Sequence, residues 1–216
     1  GCGKSTLLNV AAGLLAPSSG TTDIFGVPLT NLNRQAGYLF QADSLFPWKT
    51  ALQNVAIGLE TAGVASGEAR TQALAWLKRV GLGGFAERYP HMLSGGQRKR
   101  VGLAQVLIRD PKILLMDEPF GALDAHTRVR LQSDLLEIWE RDRKTVMFVT
   151  HSVEEAVFLS DRVMVMSRSP GRIKQVIPID LPRPRHRAEL LVNRKYQDYV
   201  VDIEKMMENP VDEAAH

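Results

Sequence analysis

Apolar residues recur about every three to four positions along much of the chain, which is the period of an amphipathic helix. The pattern stops where residues 17–20 and Gly81 supply turn-forming chemistry. The predicted helices cover about residues 4–16, 50–80, 97–109 and 125–141.

Two continuous apolar runs, at residues 113–116 and 146–149, have a different pattern. Each run is bounded by polar residues, which is typical of a strand that is buried on both faces of a sheet. Strands that alternate with helices predict an α/β fold, with a mostly parallel sheet covered by helices. Shorter strand-like runs lie near residues 24–27, 37–40, 163–166 and 173–177.

Two regions depart from this alternation. Residues 50–93 are helical and contain no buried-strand run, so we expect a helical subdomain inserted into a single domain. From residue 168 to 216 we expect a C-terminal extension. Its segment Pro182-Arg183-Pro184-Arg185-His186-Arg187 is not typical of a regular core element, so we expect a solvated basic face followed by a polar helix.

Composition limits the possible functions. The chain has 216 residues, of which 44% are hydrophobic and 24% charged, a balance typical of a folded globular domain. The net charge of +3 is too small to indicate a nucleic-acid partner. A single cysteine excludes an internal disulfide framework and is typical of a reducing compartment. No apolar run is long enough to cross a bilayer.

The first residues of the chain have the composition of a phosphate-binding loop. Gly3-Lys4-Ser5 at the start of a helix matches the second half of the pattern G-x-x-x-x-G-K-[ST]. Glycine lets successive N–H groups point at one anion, and the helix N-terminus adds a positive dipole end. Lys4 can then bind the β- and γ-phosphates, and the Ser5 hydroxyl can bind Mg²⁺. The predicted nucleotide-binding residues here are Gly1, Cys2, Gly3, Lys4, Ser5 and Thr6.

This tripeptide is also common at ordinary helix starts, so taken alone it does not decide the function. Because the chain opens inside the loop, we expect the strand that precedes a phosphate-binding loop to lie outside this sequence.

Asp117 and Glu118 follow directly after the buried run at residues 113–116. The carboxyl ends of parallel strands face the ligand crevice of an α/β sheet. Asp117 could therefore hold Mg²⁺, and Glu118 could act as a general base toward an attacking water. A solvated turn after the strand is the structural alternative.

The segment Leu93-Ser94-Gly95-Gly96-Gln97 precedes a predicted helix. Ser94 and Gln97 have the spacing of a capping box, but a capping box does not explain two consecutive glycines. Glycines at a helix N-terminus allow close approach to an anion, so we predict a second phosphate-binding helix end. One triphosphate has little use for two cradles in one subunit, which suggests that this one serves a nucleotide held by another subunit.

Taken together, these motifs resemble an ABC-transporter ATP-binding subunit over essentially the whole chain. The order and spacing of the motifs carry the resemblance. They are Gly1 to Thr6, Gln41, Leu93 to Gln97, Ile113 to Glu118, Ala122-Leu123-Asp124 and Thr150-His151.

The resemblance implies a P-loop NTPase fold that binds ATP and Mg²⁺ and hydrolyses ATP. Glu118, His151 and Gln41 would be catalytic, with Gln41 sensing Mg²⁺ and the attacking water and His151 contacting the γ-phosphate. Ser5, Gln41 and Asp117 would bind the metal. Asp124 would lie at the seam of a head-to-tail dimer, in which each nucleotide also contacts the partner's Ser94, Gly95, Gly96 and Gln97.

A closer resemblance is to importers of the nitrate, sulfonate and taurine class, carried by Leu45-Phe46-Pro47-Trp48 and by Ser169-Pro170-Gly171-Arg172. It implies an ATPase, homodimeric or paired with another ATPase subunit, at the cytoplasmic face of the plasma membrane. Separate permease subunits would form the pore, and a solute-binding protein would act indirectly.

Alternatives remain at this stage. The chain could serve another importer class or a non-transport ABC ATPase. A regulatory module without turnover would not need both Glu118 and His151, and a P-loop kinase or GTPase would not explain residues 93–97. Ser152 and Glu155 also form a capping-box pattern, which accounts for a helix start but not for His151.

Overall fold

The computed structural model describes residues 2–42, 44–121, 123–167 and 171–208. Within these ranges the architecture is α/β, as the apolar pattern predicts. The central sheet is parallel, with strands β3 (Ala36–Leu39), β4 (Ile113–Asp117) and β5 (Thr145–Val149) in that order. Every residue of β4 is buried, which explains why its sequence is continuously apolar up to Asp117.

Helix α1 (Lys4–Ala11) packs on β4 and β5 through Leu8, which is fully buried. Its C-terminal end is held by Asn33, whose side-chain amide donates to the Ala11 carbonyl at 3.0 Å. Asn33 lies just before β3, at the amino end of the parallel strands. The start of α1 therefore points toward the carboxyl ends of the strands, where Asp117 and Glu118 lie.

The first helix is shorter than its pattern predicts. It ends at Ala11 instead of about residue 16, and Gly13 follows with a φ of 70°. The Gly13 position cannot hold a side chain, because a Cβ there would lie 2.2 Å from the Asn31 carbonyl oxygen. The close approach of the loop at residues 31–33 therefore accounts for the early helix end.

The strand expected at residues 24–27 is instead a small hairpin of β1 (Asp23–Ile24) and β2 (Val27–Pro28). Phe25 and Gly26 between them both have positive φ, 50° and 79°, which is the geometry of a two-residue hairpin turn. The apolar residues there gave no indication of this reversal.

The region expected to form helical structure over residues 50–80 contains two helices, α2 (Ala51–Glu60) and α3 (Ser66–Arg79). Gly63, with a φ of 87°, lies in the break between them. Both helices pack against α4 (Gly95–Leu107) around a shared apolar cluster. The division of the chain into a helical subdomain and a C-terminal extension stays a prediction.

Helix α5 (Ala125–Asp142) precedes β5, and α6 (Val153–Leu159) follows it. Strands β6 (Arg162–Met166) and β7 (Ile173–Pro178) pair with each other in antiparallel fashion. They therefore do not continue the parallel alternation that the sequence suggests. Helices α7 (Arg187–Leu191) and α8 (Arg194–Glu208) complete the described chain and pack back on α6 and β6.

The expectation of a solvated basic face at residues 182–187 is wrong for Arg185, whose side chain is buried. Its guanidinium donates to the carbonyls of Val157, Phe158 and Ser160 at the end of α6. These carbonyls carry the negative end of the helix dipole, so a buried cation is stabilised there. Burial, followed by repulsion from Arg183, lowers the pKa of Arg185 to about 10, so it stays charged at neutral pH.

Among the described residues, no helix combines the length and the apolar composition that crossing a bilayer requires.

Candidate functional site

The loop before α1 has the backbone of an anion-binding site. Gly3 is the N-cap with a φ of 87°, and no side chain caps the helix. A Cβ on Gly3 would have no heavy atom within 4 Å, so the space above the first turn is open. The N–H groups of Lys4, Ser5 and Thr6 lie in that first turn, where an α-helix provides no internal acceptor. Gly1 lies outside the described residues.

Lys4 and Ser5 have the exposure that phosphate and metal binding require. Ser5 and Thr6 are exposed, and Lys4 is half-buried with its Nζ 3.4 Å from the Cys2 Sγ. A thiol is a weak acceptor, so Lys4 can exchange this contact for a phosphate oxygen at little cost.

Glu118 leaves the end of β4 through a strained backbone conformation. Its φ is 42°, in the left-handed region, and its N–H donates to the Val149 carbonyl at 2.9 Å. A non-glycine residue in this region costs on the order of 1–3 kcal/mol and is held only by its surroundings. The hydrogen bond to β5 fixes the turn, which directs Glu118 away from the buried path of the strand.

Asp117 ends the strand and is buried, with 8% of its surface exposed. Its charge acts on Tyr38 of the neighbouring strand. Burial is the main cause of the raised pKa of the Tyr38 hydroxyl, and the negative charge of Asp117 adds to it. Asp117 is thus a partly desolvated carboxylate at the carboxyl end of the sheet, which suits a cation ligand.

One oxygen of Glu118 brings together the three residues predicted to be catalytic. Gln41 Nε2 donates to Glu118 Oε2 at 3.3 Å, and His151 Nδ1 lies 3.2 Å from the same oxygen. The His151 side chain is 66% exposed and that of Glu118 is 23% exposed, so the cluster opens to solvent on the histidine side. This is the geometry of a carboxylate that an amide and an imidazole orient from two sides.

Each member of this cluster comes from the carboxyl end of a different strand. Gln41 follows β3, Glu118 follows β4 and His151 follows β5. The loop of Gln41 is anchored by Lys99 of α4, a buried cation that donates to the carbonyl of Gln41. The helix that begins at the Ser94 motif therefore also holds the loop that carries Gln41.

The Ser94 motif forms the capping box that its spacing predicts. Ser94 Oγ accepts from Gln97 N at 3.3 Å, and Gln97 Oε1 accepts from Ser94 N at 2.8 Å. Within the described residues, no hydrogen bond joins this motif to the loop of Lys4. The two predicted phosphate-binding helix ends are therefore not hydrogen-bonded to each other within the described chain.

The two glycines of this motif have different surroundings. A Cβ on Gly96 would lie 2.3 Å from Thr127 Cγ2, so Gly96 is required for packing α4 against the start of α5. A Cβ on Gly95 would have its nearest neighbours at 3.8 and 4.0 Å. The packing alternative thus accounts for Gly96 and leaves Gly95 without an internal reason.

Asp124 is the N-cap of α5. Its carboxylate accepts from the Thr127 N–H at 3.0 Å. Hydrogen bonds from the Thr127 backbone and side chain lower the pKa of Asp124 below its ordinary value of 3.8. Ala122, which precedes it in the predicted motif, lies outside the described residues.

Protein ligands alone do not form a metal site in the described residues, because no cluster of three or more His, Cys, Asp and Glu side chains is placed to hold an ion. A divalent ion at Asp117 would therefore depend on phosphate oxygens, together with groups such as the Ser5 hydroxyl and the Gln41 amide oxygen.

Comparison with known proteins decides the family. The family model described as ABC transporter matches residues 1–121, which is more than half of the chain. The chain belongs to the ABC transporter family.

Relatives support this membership over a longer stretch than the family model covers. The chain is 50% identical over 190 residues to an uncharacterised ABC transporter ATP-binding protein of Methanocaldococcus jannaschii, covering 88% of this chain and 71% of that protein. It is also 50% identical over 183 residues to the taurine import ATP-binding protein TauB of Rhizobium johnstonii, covering 85% of this chain and 70% of the relative.

Solved structures show the same fold. A dimeric ATP-binding cassette in a post-hydrolysis state, bound to ADP and Pi, superposes with a TM-score of 0.72 at 32% identity. The match covers 84% of this chain and 82% of that cassette. The P-loop NTPase fold predicted from the sequence is thereby confirmed, and so is its membership among ABC ATPases.

One buried polar group of this ABC domain, Glu155, was not predicted from the sequence. Ser152 caps α6 as its spacing predicts, but the Glu155 side chain does not complete the capping box. It instead accepts hydrogen bonds from Thr150 and Gln132. The sequence signal was an acidic residue four positions after His151. Its spacing from Ser152 also matches a capping box, so it was interpreted as part of a helix cap.

Proposed function

We propose that this chain is an ATP-hydrolysing subunit that drives solute import through separate membrane subunits. The observation that carries the hydrolytic part is the convergence of Gln41 and His151 on Oε2 of Glu118. A general base must be held at a fixed place relative to an attacking water, and two partners from two other strands supply that constraint.

The residues present fit ATP with Mg²⁺. The open, uncapped start of α1 supplies backbone donors and a positive dipole end for the phosphates, and Lys4 adds a mobile cation. Mg²⁺, when bound by Ser5, Gln41 and Asp117, would neutralise charge on the phosphate oxygens. Cys2, Gly3 and Thr6 would line the rest of the cradle, as would Gly1.

In this proposal Glu118 accepts a proton from the attacking water through its carboxylate. Gln41 and His151 hold that carboxylate in place, and the exposed ring of His151 can also reach a terminal phosphoryl oxygen. Asp117 lies on the buried side, where its negative charge is suited to a cation rather than to a proton.

The second half of the site would come from a partner chain. Ser94 and Gln97 cap helix α4, the space beside Gly95 is open, and within the described residues this motif makes no hydrogen bond to the Lys4 loop. Internal packing does not require a glycine at position 95, because a Cβ there would have no atom closer than 3.8 Å. We infer that Gly95 allows close approach of the backbone to an anion. The dimeric cassette that this chain resembles supports a head-to-tail pair, with Asp124 near the seam.

A permease partner would dock beside the Gln41 loop. Trp48 is 69% exposed, although its loop is held tightly by Asn54, a fully buried side chain that bonds to both ends of residues 46–49. A large exposed aromatic side chain on a rigid loop is typical of a protein interface. Through this contact the chain would associate peripherally with the cytoplasmic face of the membrane.

The taurine importer relatives support a small sulfonate-like or similar anionic solute. In this proposal, solute choice would belong to the permease and to a solute-binding protein. We therefore infer that the imported solute is nitrate, a sulfonate or taurine.

A reconstitution experiment tests this function. The full chain is assembled with its permease in liposomes, with ATP on the side of this subunit, and uptake of labelled taurine, of an alkanesulfonate and of nitrate is measured together with phosphate release. We expect uptake that depends on ATP and is lost on substituting Glu118→Gln. Hydrolysis without uptake of any sulfonate or nitrate would reject the solute class, and absence of hydrolysis would reject the catalytic assignment.

A further inference from the structure

A buried carboxylate lies directly behind the loop that carries His151. Glu155 of α6 is 7% exposed, and its Oε2 accepts a hydrogen bond from the Thr150 hydroxyl at 2.7 Å. The same hydroxyl oxygen accepts from the Ser152 N–H at 3.0 Å. Thr150 and Ser152 flank His151, so both sides of the histidine are tied to Glu155 through one hydroxyl group.

The other oxygen of Glu155 leads away from His151. Its Oε1 accepts from Gln132 Nε2 at 2.9 Å, and Gln132 of α5 is 1% exposed. Gln132 Oε1 in turn accepts from Arg187 Nη1 at 3.0 Å. Arg187 belongs to α7, so this chain of hydrogen bonds begins in the C-terminal segment and ends beside His151.

The direction of every bond in this chain is fixed by chemistry. A guanidinium can only donate and a carboxylate can only accept, so the Gln132 amide must turn its oxygen to Arg187 and its nitrogen to Glu155. The Thr150 hydroxyl must then donate to Glu155 and is left to accept from Ser152. Because each hydrogen bond can run in only one direction, the side chains of this network have a single arrangement that satisfies all of them.

Two further contacts show that the network joins several elements. Arg187 Nη2 binds Glu154 Oε2 at 3.2 Å, which keeps α7 on α6. Arg128 Nε lies 3.8 Å from Glu155 Oε1, and Arg128 Nη2 donates to the Leu123 carbonyl next to Asp124. The carboxylate of Glu155 therefore faces a cation of α5, Arg128, and is linked to the C-terminal segment through Gln132.

We propose that Glu155 is a positioning residue for His151, and that Arg187 sets the position of Glu155 through Gln132. The C-terminal segment then influences ATP hydrolysis without contacting the nucleotide. This inference rests on the proposed catalytic role of His151. The C-terminal segment then holds the loop of residues 150–152 in the arrangement that keeps His151 within contact distance of Glu118.

A polarity swap tests the chain of bonds. In the full chain, Gln132→Glu alone places its carboxylate against the carboxylate of Glu155. Glu155→Gln alone removes the negative charge that lies near Arg128. Each is expected to lower kcat for ATP hydrolysis about fivefold. In the double variant, the new amide at position 155 can donate to the new carboxylate at position 132 and still accept from Thr150. We expect its kcat to return to within about twofold of the parent.

The role of the C-terminal segment is tested by Arg187→Met, with Lys195→Met as the matched control. Lys195 also pairs with a carboxylate, Asp180, in the same segment, but among the described residues it makes no hydrogen bond to Arg187, Gln132 or Glu155. We expect Arg187→Met to lower kcat about threefold to tenfold with the KM for ATP within about twofold. The control should leave both values unchanged, and thermal midpoints of all variants would identify simple loss of folding.

A readout that does not need turnover separates this inference from the proposed function. The ring resonances of His151, assigned with His151→Gln, should shift in Arg187→Met and not in Lys195→Met, while those of His91 stay in place. An unchanged His151 resonance, or a double variant as slow as the product of its two singles, would overturn the positioning role. If the parent hydrolyses no ATP but the His151 resonances still shift in Arg187→Met, the proposed function is rejected and the positioning of His151 stands.

Discussion

Gln41 and Glu118 are 77 positions apart in the sequence, yet Gln41 Nε2 donates to Glu118 Oε2 at 3.3 Å. The parallel pairing of β3 with β4 brings the two loops to the same edge of the sheet. The register of that pairing, Leu39 beside Met116, determines how far each loop projects. A shift of one residue would separate the amide from the carboxylate, so the sheet itself is part of the site.

Replacing Glu118 with glutamine should separate binding from hydrolysis. The amide keeps the size of the side chain and can still contact Gln41, but it cannot accept a proton from water. We expect Glu118→Gln to lower kcat by about a hundredfold or more, since general bases contribute on the order of 10²–10⁴. Nucleotide affinity, measured by equilibrium titration, should stay within about threefold of the parent. Glu137→Gln on the exposed face of α5 is the matched control, and equal turnover in both variants would remove Glu118 as the base.

The two glycines of the Ser94 motif should respond differently to alanine. Gly96→Ala places a Cβ 2.3 Å from Thr127 Cγ2, an overlap that costs about 1–3 kcal/mol of the free energy of unfolding. Gly95→Ala meets no atom closer than 3.8 Å and should leave the free energy of unfolding nearly unchanged. Denaturant titration measures both.

A second substitution makes this prediction specific. Thr127→Ser removes Cγ2 but keeps the hydroxyl, so it should recover most of the stability lost in Gly96→Ala. If Gly95→Ala is as stable as the parent but hydrolyses ATP slowly, the loss belongs to nucleotide contact rather than to folding. A Gly96→Ala protein of unchanged stability would contradict the packing role.

The centre of the sheet could be predicted because β4 is buried along its whole length. The run Ile113–Asp117 is apolar until its last residue, and that residue begins the chemistry. The hairpin at Phe25 and Gly26 and the antiparallel pairing of β6 with β7 could not be predicted, because apolar spacing contains no information about strand direction. The burial of Arg185 was missed because composition describes a segment's average and not the carbonyls that one side chain can reach.

The individual residues of the candidate site could be proposed from the sequence, but the hydrogen bonds that join them could not. Ser94 and Gln97 were expected to cap α4 and do so. The spacing of Ser152 and Glu155 suggested the same device, but there the acid turns inward to Thr150 and Gln132. The two sequence patterns are equivalent, and only the tertiary surroundings distinguish a capping residue from a buried network.

Asp124 makes the stability of the chain depend on pH. Its pKa is lowered in the folded state because its carboxylate accepts from Thr127, so its contribution is present above the ordinary value of 3.8 and is lost as the pH falls through the folded-state pKa. We expect Asp124→Ala to be less stable than the parent at pH 7, with the difference shrinking below about pH 4. Asp124→Ser keeps a capping oxygen without a charge and should show a smaller difference at pH 7, which shrinks over the same pH range because the titrating carboxylate belongs to the parent. Thermal midpoints measured across pH test this, and a difference that is constant from pH 7 to pH 3 would contradict it.

Sharing of the site between two chains can be tested by counting trapped nucleotide. The substitution Ser94→Arg would place a large side chain at the open start of α4, and Lys4→Ala removes the cation of the loop before α1. In a Glu118→Gln background, which stops hydrolysis, the parent dimer should trap two ATP molecules. Homodimers of either variant should trap none.

A mixed dimer of the two variants distinguishes shared from separate sites. One of its two composite sites combines Lys4 of one chain with Ser94 of the other, so we expect one trapped ATP per dimer. If each chain instead formed its site from its own Lys4 and its own Ser94, the mixed dimer should trap none. If Ser94 took no part in binding, the Ser94→Arg homodimer should trap two molecules, as should Ser66→Arg, an exposed serine outside the motif that serves as the control. Within the described chain Ser94 and Lys4 make no hydrogen bond to each other, so one trapped ATP per mixed dimer would support a site that two chains share.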